Sequence, residues 1–423
     1  MVLAFSAWEG LTMKPASTDQ ASQDGLWLAL IVTTGIAMRL AAIAGFKHSP
    51  ESDELVYMSM ASSLASGNGI VDAMGNHAMY NVGYPLFILA PVFFLGEDLL
   101  SARLVNLVLG AVVIALCYVV AKEAGAGRVG RLLAAAIWAL YLPASVYGVY
   151  LLKENLMAPL MLGVVWCGLR LARKYSVRTA IGCGVLFGLL ALTGNAALSL
   201  AGPVFLALWL TPGPVRQRLT LSVLMLATAI AVIAPWMIRN MQVVGAPVLN
   251  TNGGFNLYIG NNPAATGWFV SIADTPRGPT WEALRKTGEV RADDILKKEA
   301  IAWASANPAE FLALAFKKSI YFWTPPFHQG KGQASTVEAF VRVVWAIQFV
   351  ALIVAASGTL MFSGLRNRQL AILWGAIACY TAVHMLFYVI FRYREPIMPV
   401  LGVMAALAAE VLLMKRGLVR NRA

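Results

Sequence analysis

Residues 101–121 read SARLVNLVLGAVVIALCYVVA, a run in which Arg103 is the one charged side chain. A helix rises 1.5 Å per residue, so about 20 apolar residues cross a hydrocarbon core of ~30 Å. Runs of this kind recur at 26–46, 130–148, 151–171, 179–192, 196–210, 219–238, 339–362, 369–390 and 396–414. They predict an all-α polytopic membrane protein with a bundle of about ten transmembrane helices. The stretches 179–192 and 196–210 are short, and also read as one hairpin broken at Thr193-Gly194-Asn195. Composition agrees: 59% of the 423 residues are hydrophobic and 13% charged, where a soluble domain carries roughly 25% charged residues.

The net charge is +12. In a soluble chain that would suggest nucleic acid. Here the bases gather in short loops between apolar runs: Lys122, Arg128 and Arg131; Arg170, Arg173, Lys174 and Arg178; Arg216 and Arg218; Arg366 and Arg368; then Lys415, Arg416, Arg420 and Arg422. That asymmetry is the positive-inside signal. It puts both termini in the cytoplasm, and makes membrane lipid or a phosphorylated lipid the acidic partner, not nucleic acid. Residues 1–25 lack a signal peptide's basic start and immediate apolar core, and are expected to be a cytoplasmic tail. Cys117, Cys167, Cys183 and Cys379 all lie in apolar runs and read as small buried hydrophobes.

Two stretches fall outside the spans. Residues 47–100 form a long first external loop. Within it, 53–64 patterns as an amphipathic helix with Leu55, Met58, Ala61 and Leu64 on one side, and 84–95 is apolar but too short to span; both suit helices lying in the interface. Residues 239–338 form a large external loop. It starts with Gly, Asn and Pro punctuation, continues through a charged helical stretch at 281–306 and ends in an aromatic interfacial stretch at 311–327. The segments so defined are a tail (1–25), an N-terminal membrane module (26–238), the loop 239–338, C-terminal helices (339–414) and a basic tail (415–423).

With so few acids, each one near the membrane needs a reason. Asp53 and Glu54 follow the first span. Asp53 reads as a general base for a lipid-borne substrate, or, with Ser52, as a helix cap in a favourable dipole. Glu154, at the external end of the fourth span, reads as functional by its intramembrane position, or as a local partner of Lys153. Arg392 and Arg394 flank Tyr393 ahead of Pro396 and suit a phosphate, or snorkelling. Arg239-Asn240 closes the seventh span. The Gly/Asn-rich run 252–263 offers turns whose N–H groups form anion nests. No GxSxG, HExxH or Walker A sequence occurs, and His48, His77, His328 and His384 are scattered. An Asp/Glu site for a divalent cation at Asp53 and Glu154 stays open.

In order along the chain, Ser52-Asp53-Glu54 with Tyr57, Gly83-Tyr84-Pro85-Leu86-Phe87, Ala102-Arg103-Leu104-Val105-Asn106, Leu152-Lys153-Glu154, Pro235-Trp236-Met237-Ile238-Arg239-Asn240, the run 252–263 and Arg392-Tyr393-Arg394-Glu395-Pro396 resemble the dolichyl-phosphate-mannose–protein mannosyltransferase superfamily. The likeness is to its bacterial branch of polyprenyl-phosphate-sugar transferases with the GT-C fold.

The resemblance implies a GT-C-type bundle and an inverting transfer from an isoprenoid-phosphate sugar. The acceptor would be a cell-envelope glycan, lipid or protein, and the site would lie on the periplasmic face of the bacterial inner membrane. It implies catalytic roles for Asp53, Glu54 and Glu154, donor-phosphate contacts from Arg392, Arg394 and Arg239, and substrate contacts from Tyr57, Tyr84, Lys153, Asn252, Asn256, Tyr258, Asn261 and Tyr393. Many relatives carry Arg or Lys shortly before Gly-Tyr-Pro; here 77–82 is His-Ala-Met-Tyr-Asn-Val, so either His77 or another base takes that part or the donor sits differently. The same ten spans and external cavity would also suit a lipid or lipid-linked-sugar flippase. A transporter, however, often shows inverted repeats and mid-membrane ionisable residues, and the candidate polar residues here gather at one face.

Overall fold

The computed structural model describes residues 18–96, 98–325, 336–362 and 368–419. Most of the expected N-terminal tail, His328, Arg366, Arg420 and Arg422 lie outside the described residues. Those described form an all-helical, multi-pass membrane fold without strands. The helices are α1 (Thr18–Gly45), α2 (Asp53–Ala65), α3 (Pro85–Phe94), α4 (Leu99–Glu123), α5 (Arg128–Leu140), α6 (Leu142–Tyr147), α7 (Glu154–Arg173), α8 (Val177–Thr193), α9 (Ala201–Leu210) and α10 (Val215–Val244). They continue with α11 (Gly253–Gly260), α12 (Trp281–Arg285), α13 (Glu289–Ala306), α14 (Pro308–Phe322), α15 (Thr336–Met361), α16 (Arg368–His384) and α17 (Met398–Lys415).

Among the described residues six helices are long and apolar enough to cross a membrane: α1, α4, α7, α10, α15, and α17 with the turn before it. The other four expected spans are shorter for local reasons. Tyr141 is extended and Pro143 follows, so 130–148 divides into α5 and α6. Gly194, also extended, separates α8 from the 3₁₀ turn Asn195–Leu200 that leads into α9. Helix α16 has 17 residues. Within the bundle α7 is central, 83% buried, and Phe391–Lys415 is 72% buried, whereas α1 and α10 are 11% and 17% buried and present apolar flanks to lipid.

Helix α2 turns a different face inward from the one its hydrophobicity suggests. Glu54, Tyr57, Met60 and Ala61 are buried, and Leu55 is exposed. A polar anchor at Glu54, described below, sets the rotation.

On the side of the bundle opposite the loop 47–100, α17 supplies a buried carboxylate that closes α5. Glu410 accepts hydrogen bonds from the N–H groups of Gly127 and Gly130, each at 2.7 Å. These are free donors of a helix N-terminus, where negative charge is favoured. A Cβ at either glycine would come within 2.7 Å of the carboxylate oxygens, so a larger residue there would have to displace the carboxylate. Glu410→Ala leaves the two donors buried and unpaired. It is expected to cost on the order of 3 kcal/mol, read as a lower thermal midpoint in detergent, with Glu410→Gln recovering part.

Candidate active site

The site is built around the entry to α2. Ser52 is the one described non-glycine residue with positive φ, at 50°. Such a conformation costs about 1–3 kcal/mol and persists only where the surroundings enforce it. The Ser52 side chain makes no capping bond. What holds the turn is Glu54, whose Oε1 accepts the Leu151 N–H at 2.7 Å. Its Oε2 accepts the Glu51 N–H at 3.2 Å and meets His48 Nε2 at 2.5 Å.

The facing loop is clasped in turn. Arg103 donates to the carbonyls of His48 (2.6 Å) and Val149 (3.0 Å). Asn106 donates to those of Gly148 and Tyr150, and Asn155 to those of Tyr147, Tyr150 and Leu152. Glu54 is thus consumed in fixing the turn and points away from the neighbouring acid.

That neighbouring acid, Asp53, forms a close ion pair with Arg392 Nη2. Arg392 Nε lies 3.6 Å from Glu154 Oε1, so one guanidinium lies between two carboxylates contributed by distant segments. The Asp53 side chain is 25% exposed and that of Arg392 19%, against 6% for Glu154; the acid of α2 is the member open to a substrate. Lys153 is beside them, its Nζ only loosely engaged, 3.5 Å from Asn81 Oδ1. Burial holds its pKa below the ordinary lysine value, against the opposing pull of Glu154 and Asp53.

Tyr57 meets Tyr80 and Tyr84 edge-on, with ring centroids 6.3 and 6.0 Å apart, and Tyr84 Oη donates to Asn106 at 2.8 Å. Burial, and after it the charge of Asp53, pushes the Tyr57 phenol well up. These tyrosines are an uncharged wall to the site.

The remaining expected cations are placed elsewhere. Arg394, fully buried, donates from Nη1 to the carbonyls of Phe322 and Thr324, both at 2.7 Å. Its guanidinium rests 4.0 Å over the Phe349 ring. Residues 391–397 form a 3₁₀ turn, which advances about 120° per residue, so Arg392 and Arg394 leave it in different directions. Arg239 donates to the carbonyls of His77 (2.7 Å) and Ile70 (2.8 Å) and to Asn240; it anchors the loop 47–100. The His77 backbone is held on both sides, its N–H by Glu289 at 2.6 Å.

The Gly/Asn-rich run is chiefly a packing device. Gly254 lies so close to α13 that a Cβ would come 2.0 Å from the Asp293 carbonyl. Its N–H donates to the Asp293 carboxylate at 2.5 Å, so the anion met there is the protein's own. Asn261 bridges Leu257, Leu386 and Lys318. Asn256 receives Tyr388 Oη at 3.5 Å, which in turn accepts from Tyr393 Oη at 2.9 Å. Tyr258 is buried with α13, and Asn252 is the helix cap residue of α11 without a side-chain bond. Tyr393 adjoins the ion pair, with the Arg392 guanidinium 5.9 Å from its ring centroid.

Three positioning residues have no mark in the sequence. Glu289 accepts from the N–H groups of His77 and Ala78 and from Thr251 Oγ1 at 3.0 Å, tying the loop 47–100 to the segment 239–338. Asp293 fixes α11. Lys318, buried, donates to Asn261 Oδ1 and the Met385 carbonyl, and burial lowers its pKa to about 8. Glu289→Ala is expected to loosen the first external loop by about 1.5–3 kcal/mol, seen as roughly 10- to 100-fold faster amide exchange at His77 and Ala78.

As a cation site the Asp53–Glu154 pair is short of ligands. Among the described residues no three His, Cys, Asp or Glu side chains come together, and Arg392 already lies between the two acids.

Residues 84–238 match the model of the dolichyl-phosphate-mannose-protein mannosyltransferase family. No curated protein matches the chain. Among solved structures it is similar to the archaeal oligosaccharyltransferase AglB from Archaeoglobus fulgidus in complex with an inhibitory peptide and a dolichol-phosphate, with 13% identity and a TM-score of 0.56 over 96% of this chain and 53% of that one. The A. fulgidus oligosaccharyltransferase complex with zinc and sulfate matches at 15% identity and 0.55, over 93% and 50%. ArnT from Cupriavidus metallidurans bound to undecaprenyl phosphate matches at 15% and 0.42, over 93% and 78%. The chain spans about half the length of the oligosaccharyltransferases it matches. The chain shares the fold of these oligosaccharyltransferases along nearly its whole length, and residues 84–238 match the mannosyltransferase family model.

Proposed function

We propose that the protein is an inverting glycosyltransferase that moves a sugar from a polyprenyl-phosphate carrier to a cell-envelope glycan, lipid or protein, on the periplasmic face of the bacterial inner membrane. In this reading both termini are cytoplasmic, 26–238 is the N-terminal membrane module with the loop 47–100 carrying the base, 239–338 meets the acceptor, and 339–414 completes the bundle. The observation that carries it is the partly exposed Asp53 held by Arg392 beside Glu154, with Lys153 at the same helix end. A GT-C relative that binds dolichol-phosphate supports a lipid-phosphate donor.

The acceptor hydroxyl donates a hydrogen bond to Asp53 and attacks the anomeric carbon from the face opposite the phosphate. The bond from that carbon to the phosphate oxygen breaks, its electron pair leaves with the phosphate, and the hydroxyl proton passes to Asp53. Arg392 and Lys153 face the negative charge that grows on the leaving group, the effect that usually contributes most. Arg394 and Arg239, held by backbone carbonyls, act through the scaffold. Glu154 keeps Arg392 in place and orients the acceptor.

The test is turnover of synthetic polyprenyl-phosphate hexoses and pentoses by the detergent-solubilised protein. Release of polyprenyl phosphate with inverted product is expected; a flippase would release none, and a retained anomer would refute inversion.

A pH dependence follows from Lys153. Its lowered pKa means that the ammonium, and with it phosphate binding, is lost as pH rises at a lower value than a free lysine would show. The alkaline limb of kcat/KM is expected to shift upward in Lys153→Arg. An unmoved limb would remove Lys153 from the donor site.

A further inference from the structure

Beneath Glu154, on the membrane side, the bundle has a partly open cavity of about 40 Å³ bordered by Arg39, Gly110, Trp138, Glu154, Asn155 and Glu395 together with apolar side chains. Arg39, Trp138, Glu154 and Glu395 are 2%, 4%, 6% and 5% exposed. Each holds polar atoms without a hydrogen-bond partner: Arg39 Nη2, Trp138 Nε1, Glu154 Oε2 and both carboxyl oxygens of Glu395.

Arg39 is part of α1, about 9 Å along the helix from its end at Gly45. Its Nη1 donates back to the Gly35 carbonyl at 3.0 Å. An arginine this deep in a span needs an anionic or hydrogen-bonding partner. The bundle makes room for it: Gly110 of α4 faces its guanidinium so closely that a Cβ there would lie 2.4 Å from Nε. The cavity exceeds the ~15 Å³ that one water needs, and its walls offer the two to four polar partners a buried water requires.

We propose that Arg39 and Glu395 are positioning residues: bridged by water in this cavity, they hold Glu154 Oε2 from below, so that Oε1 stays turned toward Arg392 and Asp53. The kinetic part of this inference rests on the transferase reading; the bridge itself does not.

Two measurements on the full chain separate them. Thermal midpoints in detergent are taken for Arg39→Gln, Glu395→Gln and the double variant. Each single change is expected to lower the midpoint, and the double to lose clearly less than the sum, since partners that share a network do not add. Additive shifts would overturn the bridge.

Turnover is then measured below those midpoints, with a synthetic polyprenyl-phosphate sugar that the parent uses. Arg39→Gln is expected to lower kcat about 10-fold or more with donor KM within about twofold. Arg39→Lys should recover most of the loss, and Gly110→Ala, which displaces the guanidinium without removing charge, should reproduce it. An unchanged kcat, or a loss confined to KM, would overturn the positioning role. If the parent turns over no such donor, the transferase reading fails, while the thermal cycle still decides the bridge.

Discussion

Asp53→Asn is expected to lower kcat by about 10³-fold, within the 10²- to 10⁴-fold range of general-base contributions, while the protein stays folded. The amide is nearly isosteric with the carboxylate but has no place for the proton of an attacking hydroxyl. Stability should change little, because the ion pair lost is partly solvated and such pairs contribute about 1 kcal/mol or less. The turn itself survives, since it is fastened by Glu54 to the Leu151 N–H. The measurement is turnover together with the thermal midpoint. A variant active to within about threefold of the parent would exclude Asp53 as the base.

Arg392→Ala is the second large effect. It removes the cation closest to both acids, and with it the charge available to a departing phosphate. A loss of about 10²- to 10³-fold in kcat is expected, the usual consequence of deleting one electrostatic stabiliser. It also leaves Glu154, buried and already with one oxygen unpaired, without its cation, so a lower thermal midpoint should accompany the loss. Arg392→Lys keeps the charge but not the planar fork that reaches two partners at once, and should restore only part. Parent-like kcat in Arg392→Ala, with only KM raised, would mean that the arginine binds donor and transition state alike.

Much of this molecule is legible from hydropathy and loop charge, because a membrane imposes a length rule on every apolar run. The side on which a polar residue emerges is not. Arg392 and Arg394 are equivalent in sequence, and only the 3₁₀ turn sends one to Asp53 and the other to Phe349. Helix α2 was readable as a helix, but its inward face is set by a carboxylate bonded to a residue 97 positions away, which no local period reveals. The Gly/Asn-rich run reads as turns able to form an anion nest, and nothing local in it reveals that Asp293 of a later helix occupies its N–H groups. Arg39 hides in an otherwise ordinary span, and its meaning comes from Gly110 on another helix.

The seating of Glu410 against Gly127 and Gly130 has a consequence for biogenesis. These partners are about 280 positions apart, and Arg392 meets Asp53 across 339. The start of α5 therefore waits, unfinished, until α17 has been synthesised and delivered by the insertion machinery. The same late arrival brings the residue that faces the first-loop acid. A nascent chain halted before that point would be both unstable and inert, so maturation of the scaffold and onset of chemistry are joined in a single late event.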